Sequence, residues 1–173
     1  THSSLAGKIT HFDLINDGAS IDGNHGTAVA SLIAGDSDLV KGVSPGVEII
    51  DIRALDNDGG GDVFTVAEAI TLAVDNGAQI LNLSLGTDSD NAVMREAILY
   101  AQSHGVIVVA AVGNEGAGQV SYPAAYPGVI GVGSNDADEN YLSFSNRGDG
   151  VDISAPGIEL TAAGGGDDVI LFT

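Results

Sequence analysis

With 173 residues, 44% of them hydrophobic, the chain is the size of a single domain and ample for a buried core. Its 24 acidic against 5 basic side chains give a net charge of -19 with no basic patch, which excludes a nucleic-acid binder and fits a secreted, calcium-using protein or one from a salty environment. The absence of cysteine excludes disulfides and thiol chemistry, and no apolar run reaches the ~20 residues that a membrane span needs.

In chain order, Lys8 to Asn16 reads as a strand, followed by a polar loop through Asp22, Gly23 and Asn24 into a helix from about His25 to Ala34. Val47 to Ile52 is a short apolar run of parallel-strand type. Asp58-Gly59-Gly60-Gly61-Asp62 is a flexible turn, and the helix from about Phe64 to Asp75 closes at Asn76-Gly77. Gln79 to Leu83 is a strand, Asn91 to His104 a helix stopped by Gly105, and Val106 to Val112 a very apolar strand. Beyond Gly116 strands and turns take over: Gly128 to Gly133, Leu142 to Ser145, Val151 to Ser154, Ile158 to Ala162 and Val169 to Phe172. The alternation predicts an α/β fold, a mostly parallel sheet with helices on both faces, in one domain over residues 1–173.

Two motifs carry chemistry. His25-Gly26-Thr27-Ala28-Val29-Ala30 sets a histidine at the mouth of a helical run whose expected buried face is Val29, Ala30, Leu32 and Ile33, and an imidazole there can act as a general base. Ala110-Ala111-Val112-Gly113-Asn114-Glu115-Gly116 ends a strand in Gly-Asn, so the Asn114 amide projects from the carboxyl end, where open α/β sheets place their chemistry. An amide so placed can donate to a developing oxyanion. A nucleotide site is disfavoured, because no G-x-G-x-x-G joins a first strand to a helix.

These motifs resemble the histidine block H-G-T-x-V-A and the oxyanion block A-x-G-N-E-G of the subtilisin-like serine peptidases. Further segments match in the family's order: Ala78 to Gly86, Tyr122 to Gly133, Phe144-Ser145-Asn146-Arg147-Gly148 and Asp152-Ile153-Ser154-Ala155-Pro156-Gly157. The resemblance runs from about Leu5 to Phe172 and implies a three-layer fold truncated at both ends. It implies that His25 and Asn114 are catalytic, that Ser84, Leu85 and Gly86 bind the substrate backbone and wall a side-chain pocket with Ala110, Ala111 and Gly113, and that Gly59, Gly60 and Gly61 form the opposite wall. It also implies a cis peptide at Tyr122-Pro123. Ala28 stands where many members have histidine, and Ser31 where many have glycine.

The family's Asp-Ser/Thr-Gly strand and Gly-Thr-Ser-x-Ala-x-Pro nucleophile block have no match, so neither the triad acid nor the nucleophile is carried over. Asp22 reads as a loop carboxylate rather than that acid, and Ser3, Ser4, Ser84 and Ser121 lack the sharp turn into a helix that presents a nucleophile. In the family the aspartate strand lies between the strands matching Val47 to Ile52 and Gln79 to Leu83. The expectation is therefore a central protease segment, inactive alone, whose missing strand and nucleophile helix come from flanking sequence or a second chain. Its partner would be an extended peptide or protein substrate, with no nucleic acid or membrane involved, and its setting extracellular, although no signal peptide is visible. The alternative is a non-catalytic peptide-binding or assembly module on the same fold. No cofactor serves the chemistry. Structural calcium has candidate donors in the carbonyls of Ala124, Tyr126 and Val129 and in an acidic loop of Asp136, Asp138 and Glu139. His2, His11 and His104 have no partners readable in the sequence. The small and apolar wall residues Ala110, Ala111, Leu85 and Gly86 suggest tolerance for uncharged substrate side chains.

Overall fold

The computed structural model describes residues 2–18 and 24–172. Asp22 and Gly23 of the sequence reading fall outside them. Contacts gather into two compact units, Thr1–Gly61 with Ile158–Thr173, and Asp62–Gly157.

In the first unit, strand β1 (Ile9–Asp13) pairs in parallel with β2 (Ile49–Arg53), from Ile9 opposite Ile49 to Asp13 opposite Arg53. Between them runs helix α1 (Asn24–Ala34), giving the βαβ unit that parallel pairing requires. Leu5, Ala30 and Ala34 form its core, with Ile9, Ile33 and Ile49 packed against it. The most enclosed positions of α1 are Ala28, Ser31 and Ala34, rather than the Val29, Leu32 and Ile33 expected from hydrophobicity, which are only partly buried. Small side chains allow close approach, and Ser31 Oγ receives the amide of Ala163 from the antiparallel hairpin of β7 (Leu160–Ala163) and β8 (Val169–Phe172).

In the second unit, β3 (Ile80–Leu83), β4 (Ile107–Ala111), β5 (Ile130–Asn135) and β6 (Ile153–Pro156) form a parallel sheet in that order. Helix α2 (Val63–Asp75) begins where the Asp62 carboxylate accepts the Phe64 amide, and α3 (Ala92–Ser103) where Asn91 Oδ1 accepts the amides of Val93 and Met94. Their buried stripes, Val66, Ile70, Ala73 and Val74 on α2 and Met94, Ala97, Ile98 and Ala101 on α3, repeat at helical spacing. Leu81, Leu83, Val108 and Ala110 are buried on one face of the sheet. The other face is less covered: Ile80, Ile107 and Ile153, which the register puts on one side, are 61%, 50% and 55% exposed. All-parallel sheets are ordinarily covered on both faces. Among the described residues, no strand pairs with the second edge of β2 or of β3.

One expected strand is absent. Leu142 to Ser145 is a turn, in which the Leu142 amide donates to Ser134 O and the Ser145 amide to Leu142 O. The Tyr122–Pro123 peptide is cis, as expected.

Candidate active site

In the first unit, His25 lies in the opening turn of α1 and is exposed. At the carboxyl ends of β1 and β2, Arg53 is 9% exposed and holds two carboxylates: it donates to Asp17 at 3.0 and 2.9 Å and to Asp13 Oδ2 at 3.3 Å. The hydrogen bond to Asp17 raises the Arg53 pKa further above its ordinary value.

Three histidines that seemed partnerless have partners. His11 Nδ1 lies 2.7 Å from Asp51 Oδ2, its strand-register partner. His2 Nδ1 lies 2.8 Å from Ser4 Oγ, and His104 Nδ1 lies 2.8 Å from Tyr100 O. Strand register decides the first contact, and helix ends decide the other two.

The triple glycine forms a hydrogen-bonded turn closed by Asp56. The Asp56 amide donates to Gly60 O at 2.8 Å, the Gly59 amide to Asp56 O at 3.1 Å and the Gly60 amide to Asp56 Oδ1 at 2.8 Å. Both backbone groups that Gly60 would offer a pairing substrate are therefore engaged within the turn.

The second unit gathers most of the remaining candidates. Leu83 and Ala110 are register partners on adjacent parallel strands, so the segments leaving β3 and β4 emerge side by side at one carboxyl edge. The 120–122 segment runs beside both: Thr87 and Tyr122 exchange backbone hydrogen bonds at 2.9 Å, and the Ser121 amide donates to Val112 O at 2.9 Å. These segments enclose a recess of about 130 Å³ lined by Ser84, Leu85, Gly86, Asp88, Ala111, Gly113, Asn114, Glu115 and Ser121. Ala110 is not on its wall; at 2% exposure it belongs to the buried side of β4. The Asn114 amide side chain is exposed and, among the described residues, makes no hydrogen bond, which leaves it available to a ligand.

Sequence reasoning missed Asp88, Glu115 and Asn146. Glu115 Oε2 accepts the Asn114 amide at 2.9 Å and Asn146 Nδ2 at 2.8 Å, so a carboxylate buttresses the turn from within. Glu115 and Asn146 were both inside matched motifs, but nothing in either motif shows that they meet. Ser121, which the sequence reading set aside as a nucleophile, is 6% exposed with Oγ turned to Asn146 Nδ2 at 3.2 Å.

Among the described residues no group of three or more His, Asp or Glu side chains is placed to hold a metal. Ala124, Tyr126 and Val129 are buried and contribute carbonyl oxygens only, and the Tyr126 carbonyl already accepts the Val129 amide at 3.2 Å. Calcium takes six to eight oxygen ligands, so three carbonyls supply at most half of a shell. In the acidic loop Asp136 Oδ1 is occupied by the amides of Asp138 and Asn140, both at 2.9 Å.

The family described as the subtilase family matches residues 8–169. A thermophilic serine proteinase of Bacillus sp. (strain AK1) is 40% identical over 168 residues, covering 94% of this chain and 42% of that protein. Subtilisin Savinase of Lederbergia lenta is 44% identical over 166 residues, covering 89% and 62%. The solved structure of the prenylagaramide maturation protease PagA superposes with a TM-score of 0.88 at 32% identity, covering 99% of this chain and 64% of that one. The chain thus spans about half the length of the curated relatives it matches.

Proposed function

This chain belongs to the subtilase family, and from that premise we propose that it is the central segment of a subtilisin-like serine endopeptidase, inactive as these 173 residues alone. The observation that carries the reading is the recess at the carboxyl edge of β3 and β4, where Ser84, Leu85 and Gly86 share a wall with Gly113 and Asn114. An extended peptide binds there by strand pairing, its main chain giving affinity and the recess selecting a side chain.

In the complete protease a serine outside residues 1–173 attacks the peptide carbonyl. His25 takes its proton and returns it to the leaving amine, and an aspartate outside this chain orients the imidazole. The Asn114 amide donates to the oxyanion of the tetrahedral intermediate, where charge develops. No step runs through a metal; calcium at the carbonyls of Ala124, Tyr126 and Val129 is a structural proposal, tested by the effect of a chelator on the melting temperature. Export from the cell is part of the same proposal, and a leader encoded upstream would support it.

The half-covered sheet supports a segment of something longer. Ile80, Ile107 and Ile153 present an apolar face, and this chain spans only part of the length of its relatives. The test is to express the segment with and without its flanking coding sequence. Peptide hydrolysis and labelling by a serine-directed fluorophosphonate are expected only for the longer product. Hydrolysis by the 173 residues alone, or none by the longer product, would overturn the proposal; the second result would favour the peptide-binding module.

A further inference from the structure

We propose that Asn146 is a positioning residue for this reaction: it holds the turn that presents Asn114, an inference resting on the reading of Asn114 as oxyanion donor. A turn leaving a parallel strand has no ladder to satisfy its amides, and buried groups of this kind need partners. Here the partner for several is one side chain. Asn146 is 1% exposed, and its Oδ1 accepts the amides of Glu115 at 3.1 Å and Ala117 at 2.8 Å. Its Nδ2 faces Val112 O at 3.1 Å and Glu115 Oε2 at 2.8 Å. With two amide donors on one side and two acceptors on the other, the orientation of the Asn146 amide is determined.

The backbone completes the clamp. The Asn146 amide donates to Gly113 O at 3.0 Å, the Gly116 amide to Phe144 O at 2.6 Å and the Arg147 amide to Ala117 O at 2.8 Å. Tyr141 Oη donates to Asn146 O at 2.5 Å, fixing the clamp itself. Gly113 has φ +106°, and a Cβ there would collide with Asn146 Nδ2, Ser121 Oγ and Glu115 Oε2. The polar cluster therefore sits directly against the Gly113 Cα, and the turn cannot shift without breaking it. Among the described residues Asn114 makes no side-chain hydrogen bond, so the point from which its amide reaches the recess is set by this backbone. Aspartate at 146 could not donate and serine could not span both sides; the site calls for an amide of this length.

The experiment is a double-mutant cycle in the longer, active polypeptide, with Asn114→Ala, Asn146→Ala and their combination assayed on a peptide substrate. Asn146→Ala is expected to lower kcat by about 10- to 100-fold with KM little changed, as for a misplaced catalytic group. In the Asn114→Ala background the same change should cost less than about threefold, because its effect acts through Asn114. Equal losses in both backgrounds, or none with Asn114 intact, would overturn the inference while leaving the site reading in place. An Asn114→Ala variant of full rate, or an inactive parent, would overturn both. If Asn146→Ala does not fold, Asn146→Asp, which keeps the shape and the acceptor but loses the donor, runs the same cycle with the same criteria.

Discussion

The hydroxyl of Ser31 accepts the amide of Ala163 at 2.9 Å, joining α1 to β7 across 132 residues of sequence. Both residues are 0% exposed, and the same hydroxyl donates to Ala28 O at 2.8 Å. Ser31→Ala leaves the Ala163 amide buried without a partner, which costs about 1 to 3 kcal/mol. Urea unfolding of the longer polypeptide should show that loss as a lower midpoint with an unchanged slope. An unchanged midpoint would mean that the hairpin does not depend on this contact.

His25→Ala is expected to reduce kcat/KM of the longer polypeptide by on the order of 10⁴-fold or more, the scale of losing a triad member. The melting temperature should barely move, because the side chain is exposed in the first turn of α1. A variant retaining a tenth of the parent rate would remove His25 from the mechanism.

Gly113→Ala tests the geometry beneath Asn114 from the other side. Its φ of +106° disfavours any L side chain, and the added methyl has no room. The expected result is a loss of about 100-fold or more in kcat, together with faster exchange of the Glu115 and Ala117 amides. Normal protection of both amides would show that the turn tolerates the change.

Acid should weaken the fold through identifiable carboxylates. The Phe64 amide, then the Thr65 hydroxyl, hold Asp62 below the ordinary value of 3.8; the Asn140 side-chain amide, then the Asn140 backbone amide, do the same for Asp136. A group whose folded pKa is lowered contributes stability that is complete above its unfolded pKa and lost as pH falls through the folded one. Unfolding midpoints should therefore be insensitive to these groups above about pH 4 and fall below it. Asp62→Asn and Asp136→Asn should each make that acid limb shallower, and an unaltered limb would exclude their contribution.

The second edges of β2 and β3 and the face of Ile80, Ile107 and Ile153 predict the behaviour of the isolated chain. Open edges and apolar faces recruit other chains. Light scattering should find association, and amide exchange should find weak protection in β2 and β3. A monodisperse monomer with slow exchange in both strands would sink the expectation that flanking sequence or a second chain completes the fold.

The periodic elements were legible. Val169 to Phe172 was read to the residue, α2 and α3 to within a residue or two of their ends, and the Asp62 and Asn91 caps explain where the helices begin. Leu142 to Ser145 was misread because its Leu-Ser-Phe-Ser alternation mimics a strand, whereas Tyr141, Ser145 and Asn146 draw it into a turn through bonds to Ser134, Val112 and one another. The face of α1 was misread for a related reason: the approach of Ala163 selects small residues at 28, 31 and 34, and hydrophobicity along one helix carries no information about that neighbour.

By itself the sequence determined the order of most strands and helices and the family blocks, and it singled out His25 and Asn114 as candidates, because these are properties of local spacing and of residue type. Only the tertiary structure decided that Ser84 to Gly86 and Asn114 share a recess, that Ala110 turns away from it, that Asp56 closes the glycine turn, and that Asn146 holds the Asn114 turn in place. Each of these depends on which buried donor finds which acceptor across a long stretch of chain, and that pairing exists only once the strands are in register.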